Sequence, residues 1–290
     1  VLATRLDQGL LKAALLERRS PRVRRPPRQA DPNGPLLFLF RATRQVEREV
    51  EAAVLATIDP VLAEVPEDER VLGRSDQRTI FAAVGEDLSR KLEQLAVEFG
   101  SPEFVERARR LAREWGGRAF TQNRRAILRQ IRSVLGVGLA GGDAAALAQV
   151  EMFVENATNL IVTIPKRLLD DVKGKILEAA VPGIRVEALR SEIMARFGVS
   201  QSRAALIARD QTLKLAGQLT KTRQEALGVR SYIWSTSKDE RVRESHRRLE
   251  GTRHSWNEPP IVDEKRQRRE HPGGDFQCRC VPIPDLTGLV

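Results

Sequence analysis

Two cysteines one residue apart, Cys278 and Cys280, close the stretch HPGGDFQCRC, and the chain has no others. All three histidines, His246, His254 and His271, lie shortly before that pair. Thiolates and imidazoles are the donors that zinc takes in tetrahedral sites, so the clustering points to metal chemistry. His271 is close to Cys278, and Pro272-Gly273-Gly274 between them can turn the chain back on itself. His246 falls in DERVRESHRRLEG, where Asp239, Arg243, His246 and Glu250 have the spacing of one helical face. His254, in TRHSWNEPP, is the one expected to be exposed. The expected ligand set is therefore His246, His271, Cys278 and Cys280, holding a structural zinc. A one-residue spacer is narrower than the usual C-x2-C, and a second reading stays open. In it, both cysteines point to one side of a short strand and pack as small hydrophobes, while the histidines make ordinary hydrogen bonds. A Cys278–Cys280 disulfide is disfavoured, because an extended spacer holds the two Cα atoms too far apart, and so low a cysteine count fits a reducing compartment.

Catalysis is the alternative. Asp239, His246, Glu250 and His271 could supply acid and base for phosphodiester cleavage, or a Cys–His pair a nucleophile, as in a nuclease or toxin-like effector. Against it, the sequence has no glycine-rich phosphate loop, no H-E-x-x-H, no G-x-S-x-G and no acid cluster for two metals. The expectation is a non-enzyme.

The elements that must position these residues are short. From 228 to 290 the chain is rich in proline and glycine, opening with the β-branched and aromatic VRSYIWST. Roughly 60 residues with few large aliphatics make a thin core, which commonly needs a staple. A small α+β module is expected here, with zinc as the staple.

Upstream, from 36 to 227, the pattern is helical almost throughout. Leu39, Val46, Val50, Val54 and Ile58 mark one stripe, expected to stop at Pro60; Ile80, Val84, Leu88, Leu92, Leu95 and Phe99 mark the next. Ser101-Pro102-Glu103 is a helix start, followed by Phe104, Ala108, Leu111 and Trp115. Gly116-Gly117 is expected to weaken or kink that helix before a further one over 120–135, whose Arg124, Arg125, Arg129 and Arg132 form a basic face. Helices near 144–161, 166–180 and 185–196 follow, and a last one runs from Ser200 to a stop at Gly228. The fold class is mainly α, an elongated multi-helix body carrying the small α+β module.

Residues 1–35 differ again: a short amphipathic helix over 1–17, then an arm in which Arg18, Arg19, Arg22, Arg24, Arg25 and Arg28 stand among three prolines without an acid. Such a segment cannot build a core. It reads equally as a solvated tether or as a contact for an acidic protein surface or a phosphate backbone. The whole chain of 290 residues carries 49 Lys+Arg against 39 Asp+Glu, a formal charge of +10, which suits an anionic partner, nucleic acid held through its phosphates being the obvious candidate. Aromatic residues make up only 4%, too few for rows of stacking rings on single strands. The longest apolar runs, such as LLFLF at 36–40, fall far short of the roughly 20 residues of a bilayer span, and nothing at the start reads as a secretory signal; cytoplasmic synthesis and no membrane partner are expected.

Taken together, IARDQTLKLAGQLTKTRQEALGVRSYIWSTSKDERVRESHRRLEG, WNEPP and HPGGDFQCRC resemble the C-terminal half of the Mu F-like minor head proteins, or head morphogenesis proteins, of tailed bacteriophages. NLIVTIPKRLLDDV, 159–172, is similar to the segment that precedes it there. The resemblance covers about 156–285 and is carried by Asp239, Arg241, Arg243, His246, Leu249, Gly251, His271, Pro272, Gly273, Cys278 and Cys280. It implies a structural, low-copy virion protein at the portal vertex or in the capsid interior, present in host cytoplasm during assembly. Implied partners are the portal protein and other head or capsid proteins, and implied roles are head morphogenesis and DNA packaging or ejection.

Overall fold

Apolar spacing sets the helices. The computed structural model describes residues 33–64, 77–135, 142–179 and 186–286. The arginine–proline arm and the 1–17 helix lie outside the described residues. Five long helices come first: α1 (Asn33–Ala63), α2 (Gln77–Glu98), α3 (Pro102–Leu135), α4 (Asp143–Ala179) and α5 (Val186–Ala226). Short elements follow: β1 (Ser231–Ser235), α6 (Glu244–Arg247), β2 (Arg253–Ser255), β3 (Ile261–Asp263), β4 (Arg268–Arg269) and β5 (Val281–Asp285). The fold is mainly α with a small α+β part at its C-terminal end, as the sequence leads one to expect.

Two compact units divide the chain, which passes from one to the other within α1, α3, α4 and α5. One comprises Leu39–Ala112 and Glu155–Ala208. Its core is made of the stripes read from the sequence: Val46, Val50, Val54 and Ile58 of α1, Leu88 and Leu92 of α2, and Phe104 and Ala108 of α3 are all buried. Leu168, Leu169, Val172 and Ile176 of α4 join them. Ser101 caps α3, its hydroxyl accepting from the Phe104 N–H at 3.3 Å.

Four expected helix breaks are not there. α1 runs past Pro60, α3 past Gly116-Gly117, α4 past Pro165 and α5 past Gly198. A proline inside a helix costs about 3 kcal/mol, whereas each fully buried large aliphatic returns about 1.5–3 kcal/mol. Pro165 is flanked by buried Ile161, Leu168 and Leu169, and Pro60 by buried Val61 and Leu62, so packing on both sides outweighs the lost bond. The Thr163 hydroxyl also donates to the Leu160 carbonyl at 2.7 Å, next to the break in the ladder. Gly116 is a packing residue: a Cβ there would meet Val150 Cγ1 at 2.7 Å. Interior glycine costs only about 1 kcal/mol, which explains why Gly198 does not end its helix.

The other unit holds residues 33–38, 113–154 and 209–286 of the described chain. In it β1 is the centre of an antiparallel sheet of order β2-β1-β5, with Tyr232 opposite His254 and Pro284. Tyr232 and Trp234 alternate inward along β1 and are fully buried, packing with Trp256, Val262, Cys278 and Cys280 into a small core. α5 ends where Gly228, at φ +83°, reverses the chain. The sheet is fastened to α5 by Gln224, whose side chain donates to the Pro282 carbonyl at 3.0 Å and accepts from the Trp256 indole at 3.2 Å.

Candidate metal centre

His246 lies on α6, a single turn. Here the sequence reading of one helical face through Asp239, Arg243, His246 and Glu250 is corrected: the helix covers only Glu244–Arg247. Asp239 instead caps a turn, accepting from the Arg241 N–H at 3.0 Å and pairing with Arg279, and Glu250 accepts from the Thr236 N–H at 2.6 Å. Both acids are thereby drawn out of line with a continued helix. The short turn aims His246 inward, where its ring meets Trp234 edge-on at 5.5 Å between centroids.

HPGGDFQCRC folds as two successive turns. Gly274 N–H donates to the His271 carbonyl at 2.9 Å, and Cys278 N–H to the Asp275 carbonyl at 3.1 Å. Gly273, at φ +86°, lets this segment lie against α5: a Cβ there would meet the Leu213 carbonyl at 3.0 Å, and one on Gly217 would meet the Pro272 carbonyl at 2.8 Å. Asp210 of α5 accepts from the Gln277 N–H at 2.8 Å. Thus anchored, the segment presents Cys278 and Cys280 to His246, both sulfurs 3.5 Å from Nδ1.

His246, Cys278 and Cys280 are all buried, and their donor atoms lie within 4.8 Å of one another. Zinc bonds of about 2.3 Å to sulfur and about 2.0–2.1 Å to nitrogen place neighbouring N and S donors about 3.6 Å apart on a tetrahedron. The observed separations fit that edge. They also fit a thiol donating to Nδ1, which is how the three groups satisfy one another without a metal.

The other ring nitrogen is held as metal-ligating histidines are held. Nε2 lies 3.0 Å from Oδ2 of Asp275, a wholly buried carboxylate. With Nε2–H donating there, the Nδ1 lone pair faces the sulfurs. Asp275 is fixed in turn by Arg243 at 2.6 Å and Arg268 at 2.8 Å. The sequence reading missed this residue; its signal was an acid set three positions before Cys278 in a segment already suspected of ligation. Electrostatics divide the thiols. The hydrogen bond from Cys280 pulls the Cys278 thiol well below its ordinary range against the effect of burial, helped by His246 and the Gly273 N–H. The same bond pushes Cys280 up, with burial and the neighbouring charge adding to it. Two sulfurs and an imidazole nitrogen converging in one buried place form a donor set suited to a cation.

His271 stands elsewhere. Its Nδ1 is 3.0 Å from the Tyr232 hydroxyl and its ring packs on Tyr232 and Trp256, so the structure joins three of the four expected ligands and leaves this one in an aromatic cluster. Burial lowers its pKa to about 4, with the charge of Lys221 adding to the effect. His254 is half-buried and engaged with Thr252 at 2.7 Å.

Residues 170–283 match the family described as Phage Mu protein F like protein, so the whole centre lies inside the matched segment. An uncharacterized protein of Haemophilus influenzae (strain ATCC 51907 / DSM 11121 / KW20 / Rd) is 30% identical over 201 residues, which is 68% of this chain and 44% of that protein. The chain thus spans less than half the length of this relative. No solved structure matches.

Proposed function

We propose, on the premise that residues 170–283 are a Mu protein F like segment, that the chain is a structural minor head protein of a tailed bacteriophage. The observation that carries the reading is the match itself, which takes in His246, Asp275, Cys278 and Cys280 together. The protein acts at the portal vertex or in the capsid interior, in head morphogenesis and in DNA packaging or ejection, with the portal protein and other head proteins as partners. Host cytoplasm is its place during assembly. Among the described residues no helix is long and apolar enough to cross a membrane.

His246, Cys278 and Cys280 hold zinc, which adds to the thin core around Tyr232 and Trp234 and staples the segment after 227. The donor set suits zinc because two sulfurs and one imidazole are soft enough to favour it over magnesium or calcium. The ion's role here is to hold the fold, with Asp275 orienting His246. The test is the composition of purified particles produced from the genome that encodes the chain: peptides of this protein should be present in them. Absence from particles, or DNA cleavage by the purified protein that His246→Ala abolishes, would replace the reading with the nuclease alternative.

Double-stranded DNA is contacted through phosphates, chiefly by Arg18, Arg19, Arg22, Arg24, Arg25 and Arg28 of the arm, in keeping with the formal charge of +10. Changing all six to serine should weaken DNA binding and flatten its dependence on salt. An unchanged salt slope would assign the arm to tethering or to a protein surface.

A further inference from the structure

Among the described residues three donors meet at the centre, and a tetrahedral ion takes four. The nearby candidates for the fourth are committed. Asp275 accepts from His246, Arg243 and the Phe276 N–H at 2.8 Å and is ion-paired with Arg268. Glu250 accepts from Thr236 and pairs with Lys238 at 3.3 Å. His271 is held by Tyr232, and His254 by Thr252. Closed structural zinc sites have four protein donors, whereas three donors with one position left over mark sites that take a ligand from outside.

Room for such a ligand exists beside the two cysteines. Cys278 and Cys280 line a cavity of about 370 Å³ walled by α3 and α5, within the roughly 300–1,000 Å³ of small-molecule sites. Three guanidinium groups line it: Arg279, which is paired with Asp239; Arg241, whose charge also acts on Asp239; and Arg209, which makes no ion pair among the described residues. The Ser237 hydroxyl on the same wall is buried without a hydrogen-bond partner. Ala126, Ile127 and Ala216 supply apolar wall. Guanidinium groups, an orphan hydroxyl and two of the three donor residues around one cavity call for an anion with several oxygen acceptors.

We propose that the His246–Cys278–Cys280 centre takes its fourth donor from a small oxyanion in this cavity, one oxygen reaching the metal and the others held by Arg241, Arg209 and the Ser237 hydroxyl. The proposal rests on the metal reading given above. The oxyanion can be a free phosphate or a carboxylate; the chemistry they share is an anionic oxygen donor with further acceptors for guanidinium.

The test uses the full chain, stripped of metal with a chelator under reducing conditions and loaded with Co²⁺, whose spectrum reports both sulfur ligation and coordination number. Sulfur-to-cobalt charge transfer in the near ultraviolet is expected on loading. Inorganic phosphate, or acetate in a parallel titration, should then shift the visible d–d bands saturably, and the tighter of the two identifies the class. In Arg209→Ala/Arg241→Ala the charge-transfer band should persist, showing an intact centre, while the apparent Kd for the anion rises roughly tenfold or more. Failure to bind Co²⁺ would overturn the metal reading itself. Cobalt bound with d–d bands indifferent to both anions would overturn only the open position. An anion response equal in the arginine variant would remove the arginines from the site.

Discussion

Asp275, fully buried, is hydrogen-bonded to His246, Arg243 and the Phe276 N–H and ion-paired with Arg268. His246 is thereby held in one tautomer by a carboxylate fixed from several sides. Glu47 is its opposite. On α1, 2% exposed among Val46 and Val50, it has neither oxygen hydrogen-bonded, and burial raises its pKa to about 7. A carboxyl whose folded pKa lies above its unfolded value favours the fold fully only below the unfolded value, near 4.5, and that contribution is lost as pH rises through about 7. Glu47→Gln should therefore raise the denaturation midpoint at pH 8, by about 1–3 kcal/mol in stability, and change it little at pH 4. A variant no more stable than the parent at pH 8 would mean that Glu47 is compensated in the folded chain. His271 works in the other direction: its depressed pKa costs stability as pH falls from about 6.5 to about 4.

At the scale of elements, the apolar stripes and the polar caps were legible and the breaks were not. Val46, Val50, Val54 and Ile58 could be read as a buried face because a 3.6-residue period is a property of the sequence itself. Ser101 and Gly228 were equally readable, since capping and chain reversal are local chemistry. Pro60 and Gly116-Gly117 misled, as did the gaps expected between 161 and 166 and between 196 and 200, because the local cost of a breaker is set against burial supplied by other helices, which no local window contains. Gly116 shows this directly, lying where a Cβ would strike Val150 of α4. The site divided in the same way. Cys278, Cys280 and His246 could be singled out by donor type, but choosing between His246 and His271 needed the fold: Gly217 and Gly273 bring the turn against α5, and that docking gives His271 to Tyr232 and His246 to the sulfurs. Asp275 escaped notice because an acid beside a ligand acquires its role from what lies across from it.

For the whole molecule, the metal centre, its carboxylate and the adjoining cavity all belong to the unit of residues 33–38, 113–154 and 209–286, and the centre falls within the Mu protein F like segment. The core that surrounds it is small, six buried residues of which two are the cysteines themselves. A metal bonded to those cysteines would contribute much of the holding energy of this part of the chain, since structural zinc is coupled to folding. The reading of the chain as a zinc-stapled head protein meets its most direct test in the metal content of the full-length protein purified without chelators. The account predicts one zinc per chain, retained in His271→Ala and lost in Cys278→Ser/Cys280→Ser together with a fall in thermal midpoint. A metal-free protein whose midpoint neither chelator nor added zinc alters would contradict it, and would leave the two cysteines as buried thiols bonded to a histidine.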